Sequence, residues 1–166
     1  NDVSNTSNIN NIESKKDSFN SNLPIPKTIK ANDNSSLIAQ TVTTSFISDK
    51  KINVLGYSQD GILGPTIVAQ KGDNLNLNLK NNLTEETNIH WHGLIVPSEM
   101  DGYPSTTTKT GETFNYNFKI NQRAGMYWYH PHPHGMTAKQ AYLGLAGVFI
   151  VNDEEEKSLN LPSGNY

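Results

Sequence analysis

Between Asn74 and Lys80 polar and apolar residues alternate without a break, with Leu75, Leu77 and Leu79 set against Asn74, Asn76 and Asn78. Phe114, Tyr116, Phe118 and Ile120 repeat the pattern from Thr113 onward. A period of two puts successive side chains on opposite faces, so both segments are predicted to be half-buried strands. Weaker strand patterns cover 37–47, 51–57, 65–69, 88–95, 126–132 and 145–151. They are separated by the turn sequences Gln59-Asp60-Gly61, Lys71-Gly72-Asp73, Asp101-Gly102 and Lys109-Thr110-Gly111. Helical spacing is confined to one turn, Thr137 to Tyr142. Short strands at this rhythm predict an all-β, antiparallel sandwich or barrel with Greek-key connections.

The ends of the chain read differently. Residues 1–22 are crowded with Asn and Ser and carry Val3, Ile9, Ile12 and Phe19 as their sizeable apolar groups. Such a segment buries too little surface to offset its ordering entropy and is predicted to be a disordered tail. Leu23-Pro24-Ile25-Pro26 marks where it stops, which places the folded domain at 23–152. After Val151 the acidic run Asp153 to Glu156 and the ending LNLPSGNY read as a solvated exit, a linker over 153–166.

Composition narrows the function classes. With 166 residues there is room for one domain of the common ~100–150 residue size plus a tail. The net charge is −3 and the 13 Lys and Arg form no basic stripe, which argues against nucleic acid. No apolar run approaches the ~20 residues of a membrane span. The sequence has 0 Cys, which excludes disulfides, thiolate nucleophiles, iron–sulfur clusters and thiolate-bound metals within it.

The 5 histidines all fall in two short clusters, His90-Trp91-His92-Gly93 and His130-Pro131-His132-Pro133-His134-Gly135. On an extended backbone residues i and i+2 share a face, so each pair, His90 with His92 and His130 with His132, aims two imidazoles to one side. Adjacent strands would then gather four nitrogens, a donor set suited to copper, zinc, iron or nickel. The competing explanation is a set of hydrogen-bonded structural histidines or a zinc-scavenging surface. No carboxylate is spaced to complete a facial triad or a cupin-type site, Glu99 being too far along the chain. Met100, Met126 and Met136 are too dispersed for a methionine-rich copper surface and are expected to fill core or loop space. Asp101, taken alone, is most economically a turn residue.

Together these segments resemble the first cupredoxin domain of the multicopper oxidases, in the three-domain bacterial and archaeal branch that includes laccase-like enzymes. The resemblance is carried by His90-Trp91-His92-Gly93-Leu94, Asp101-Gly102, the run Tyr127 to Gly135, and Gly144-Leu145-Ala146-Gly147, and it extends from about Gly64 to Val151. It implies a cupredoxin-like Greek-key β-sandwich and a copper-dependent oxidoreductase. By the same resemblance His90 would bind a type 2 copper, and His92, His130 and His132 the type 3 coppers of a trinuclear cluster that reduces dioxygen to water. A substrate would be oxidised one electron at a time. His134 occupies a position that is usually not a ligand and is expected to support the site by a hydrogen bond. Asp101 matches an acidic residue that helps deliver protons.

The remaining ligands and the type 1 copper, with its Cys, belong in that family to a C-terminal cupredoxin domain. The expected partners are therefore further cupredoxin domains of the same protein or of a partner subunit, together with dioxygen and an electron-donating substrate. The resemblance also implies a periplasmic or extracellular location, and a chain that is inactive by itself. The alternative is a stand-alone copper carrier or a non-catalytic cupredoxin scaffold.

Overall fold

The computed structural model describes residues 24–47, 50–58 and 62–162. Their strands, in chain order, are β1 (Thr28–Lys30), β2 (Ser35–Ile47), β3 (Lys50–Gly56), β4 (Thr66–Gln70), β5 (Asn74–Asn81), β6 (His90–His92), β7 (Thr113–Lys119), β8 (Gly125–His130) and β9 (Gly147–Asn152). Two helices, α1 (Thr137–Tyr142) and α2 (Glu154–Ser158), and a single 3-10 turn at Ser98–Met100 complete the set. One sheet has the order β1-β4-β9-β8-β6 and the other β3-β2-β5-β7, so the chain forms the expected two-layer β-sandwich.

The two alternating segments pair with each other. β5 and β7 are antiparallel, with Leu75 opposite Phe118 and Leu77 opposite Tyr116. Leu75, Leu77, Leu79, Tyr116 and Phe118 turn inward and are buried, while Asn76, Asn78 and Asn115 stay on the outer face and bond across the strands, Asn115 to Asn76 and Asn78. Ile67, Phe149, Val151 and Tyr129 face them from the first sheet. At about 25 cal/mol per Å² of apolar surface, these large inward side chains supply the main drive for stacking the sheets.

The pairing directions depart from the antiparallel expectation. β1 with β4, β2 with β5, and β4 with β9 are parallel. A two-residue period specifies which face is buried but not which neighbour, or which direction, satisfies the backbone. β2 combines both modes, its first part running parallel to β5 and its second part forming an antiparallel hairpin with β3. β1 has no alternating pattern long enough to predict it.

The exit also differs from a bare linker. Asp153 is buried; its carboxylate caps α2 by accepting from Glu156 N–H at 2.8 Å and reaches back to accept from Ala124 N–H at 2.8 Å. Among the described residues no helix is long and apolar enough to cross a membrane. The tail at 1–22, the turn at Gln59-Asp60-Gly61 and the last residues of the linker lie outside the described residues.

Candidate metal centre

Trp91 sets the orientation of β6. Its indole is fully buried, with ring centroids 5.4 Å from Tyr116 and Phe118, 5.8 Å from Tyr129 and 5.9 Å from Phe149, and its N–H donates to the Met100 carbonyl at 2.9 Å. With Trp91 inward, alternation forces His90 and His92 outward. β8 runs antiparallel beside it with His130 opposite His90, Tyr129 opposite Trp91, and Trp128 opposite His92. Three imidazoles therefore stand on one face, and the ligand atoms of His90, His92 and His130 all lie within 4.8 Å of one another.

Each ring is held by a neighbour. His130 Nδ1 is 2.8 Å from the Pro131 carbonyl, so that nitrogen donates and Nε2 keeps its lone pair. His130 Nε2 in turn lies 3.2 Å from His92 Nδ1. Burial holds the His130 pKa below its ordinary value; the hydrogen bond to Pro131 opposes this, and repulsion from the other imidazoles reinforces it. The neutral ring that results is the form that ligates metals. Trp128 covers this pair, stacked on His92 at 4.9 Å and 4.2 Å from His130.

Asp101 does more than make a turn. Its Oδ1 lies 3.0 Å from His90 Nδ1 and accepts from Trp91 N–H at 3.3 Å. A carboxylate behind an imidazole fixes the tautomer and aims the opposite nitrogen outward, a recurrent arrangement behind metal ligands. The turn that brings Asp101 so close depends on Gly102, which has φ +57° and packs so tightly that a Cβ would lie 2.2 Å from the Ile89 carbonyl oxygen.

His132 is placed by a different device from the one its spacing suggests. β8 ends at His130, and His132 follows between two prolines, its backbone N–H donating to Asn88 Oδ1 at 2.6 Å. Its ring centroid is 5.3 Å from that of His90 and 6.2 Å from that of His130, beside the three-imidazole group rather than within it. His134 is exposed, and its backbone N–H donates to the Pro104 carbonyl at 3.3 Å. Met126, expected as filler, is on β8 and largely exposed on the same face as Trp128, where both pair with β9 residues, Ile150 and Val148. Asn88 has no distinguishing mark in the sequence beyond standing two residues from a histidine, and Trp128, within the run Tyr127 to Gly135, shows no sign there of covering two of the rings.

Clustered imidazoles, one backed by a carboxylate and with no thiolate, fit copper or zinc by their donor chemistry. A family model described as multicopper oxidase matches residues 38–156. The multicopper oxidase mco of Staphylococcus haemolyticus is 44% identical over 133 residues, covering 80% of this chain and 29% of that protein. The chain thus spans a little under a third of that relative's length. The solved structure of a laccase-like multicopper oxidase from Ochrobactrum sp. superposes with a TM-score of 0.79 at 36% identity, covering 86% of this chain and 32% of that one. The cell division protein FtsP of Escherichia coli is 34% identical over 143 residues, covering 85% of this chain and 30% of that protein.

Proposed function

The chain belongs to the multicopper oxidase family, and from that premise we propose that it supplies half of the histidine ligands of a trinuclear copper cluster. The observation that carries this is the group of three imidazoles from β6 and β8, His90, His92 and His130, with ligand atoms within 4.8 Å. His90 is assigned to the type 2 copper, and His92, His130 and His132 to the type 3 pair. Copper bound there would supply the one-electron chemistry by which dioxygen is reduced to water. The chain itself presents imidazole nitrogens, fixes their direction through Asp101 and Pro131, and shields one side with Trp128. Asp101 Oδ1, on the His90 ring, is the place where a proton is held and passed on. His134, exposed beside these ligands, is assigned a supporting role.

The missing ligands and a thiolate-bound type 1 copper would come from another cupredoxin domain of the same protein or of a partner subunit. An electron-donating substrate would act there, and Met126 and Trp128 would lie against that domain. A periplasmic or extracellular site of action goes with this assignment.

Cu(II) titration of the chain tests the reading. The spectrum is expected to show imidazole nitrogens on copper, and a variant with His90→Ala, His92→Ala and His130→Ala is expected to lose them. The chain alone should not sustain dioxygen reduction, since with 0 Cys it has no thiolate for a type 1 centre. Sustained reduction would overturn the half-site. The identity to a protein named for cell division goes with a second reading, a non-catalytic cupredoxin scaffold. The coding sequence beyond Tyr166 separates the half-site from a stand-alone copper carrier, because the half-site requires a cupredoxin domain bearing Cys between histidines.

A further inference from the structure

The side chain of Asn88 is buried, and both of its polar ends are engaged. Its NH2 group donates to the carbonyls of Gly102, Tyr103 and Thr106 at 3.1, 3.1 and 3.0 Å. Its oxygen accepts from His132 N–H at 2.6 Å. These partners fix the amide orientation, since carbonyls require the NH2 on one side and an N–H requires the oxygen on the other. One end therefore holds the loop that follows Asp101, and the other holds the backbone of a histidine.

We propose that Asn88 is a positioning residue of the metal centre, a two-sided clamp that ties the Asp101 loop to His132. The inference rests on the copper-site reading above. His132 lies beyond the end of β8, between Pro131 and Pro133, neither of which has an N–H, so no strand ladder fixes its backbone. Asn88 does so instead. On the other side the loop it grips begins at Asp101, whose carboxylate is 3.0 Å from His90 Nδ1. The contacts form a closed circuit, from His90 to Asp101, along the loop to Asn88, and on to His132, whose ring returns to within 5.3 Å of His90. A buried amide bonded at both ends tolerates little displacement, because any shift leaves backbone groups unsatisfied. The circuit sets the spacing of the two rings before metal binds.

Asn81 is a matched control. It is equally buried, donates to the carbonyls of Glu85 and Thr108 at 2.9 and 2.8 Å, and accepts from Leu83 N–H at 2.9 Å, but it holds neither Asp101 nor a histidine.

The test is Cu(II) titration of the full chain and of Asn88→Ala and Asn81→Ala, each at a temperature where circular dichroism shows it folded. Affinity is read by chelator competition and the ligand set by nitrogen hyperfine structure in the electron paramagnetic resonance spectrum. Asn88→Ala is expected to weaken Cu(II) binding by about 10- to 100-fold, the usual cost of removing a group that orients a ligand, with altered nitrogen coupling; Asn81→Ala should bind as the parent does. In the unaltered chain, Cu(II) should slow hydrogen exchange at the His132 and Thr106 amides and leave Leu83 unchanged, a measurement that stands even if Asn88→Ala does not fold. Parent-like binding by Asn88→Ala, equal weakening in both variants, or unchanged exchange at His132 and Thr106 overturns the clamp. Absence of histidine-bound copper in the parent overturns the metal-site reading itself, and the clamp with it.

Discussion

Asp101 Oδ1 lies 3.0 Å from Nδ1 of His90, although a helical turn and a Gly separate their backbones from any common strand. The contact joins a carboxylate to a ring proposed above as a copper ligand, which is the connection the proposed proton relay needs. Asp101→Asn keeps the size of the side chain and an oxygen for Trp91 N–H but removes the titrating carboxylate. In the copper-loaded oxidase it is expected to lower turnover by about 10²-fold with copper content unchanged. Elemental analysis and oxygen uptake measured on the same sample check both halves.

The histidines are expected to divide into two groups. Alanine at His90, His92 or His130 removes a nitrogen from the three-imidazole group and should reduce the copper bound at saturation. His134→Ala should retain the metal and lower activity only. Copper stoichiometry across the four variants distinguishes them, and loss of copper on His134→Ala would make that residue a ligand.

Gly102 and Gly111 both have positive φ, at +57° and +83°, but only Gly102 is enclosed. A Cβ at 102 meets the Ile89 backbone at 2.2 Å, whereas one at 111 meets nothing within 4 Å. Gly111→Ala should cost about 1 kcal/mol, the usual conformational strain, and Gly102→Ala clearly more, because a backbone must move. Denaturant unfolding of the two variants side by side measures the difference.

Asp153 gives the fold a defined acid response. The Glu156 N–H first, and then that of Ala124, hold its carboxyl below the ordinary carboxylate range. In the unfolded chain the group takes up its proton nearer pH 3.9, so the unfolded state binds more protons in that window and stability rises with pH there. The contribution is present above the unfolded value and is lost as pH falls through the folded one. Asp153→Asn should lower the melting temperature near neutrality, and the gap to the parent should shrink as the pH is taken down past the folded-state value.

Much of the sandwich is legible in the sequence because burial imposes a period. The leucines of β5 and the aromatics of β7 announce their inward faces, and α1 spans Thr137–Tyr142, the segment with helical spacing. The pairing of His90 with His92 across one residue is legible for the same reason. His132 is not, because prolines end the strand before it and a side-chain amide takes over. Asn88 is not, since nothing local separates a buried, fully bonded Asn from the many exposed ones in this chain. The parallel pairings also escape, because they depend on where distant segments meet.

β6 is three residues long, lies at the edge of its sheet, and has β8 as its one strand partner. Between the two in sequence comes the whole of β7, which belongs to the opposite sheet. The histidine face therefore cannot arise from a local hairpin, and its loop-closure entropy is met only as both layers condense. On this topology the donor set is expected to form late in folding, so that a metal would meet a finished scaffold instead of nucleating one, the reverse of a zinc finger. With the proposed copper site, synthesis and metallation would be separable in time, and a copper shortage would leave folded, refillable protein rather than debris for proteolysis.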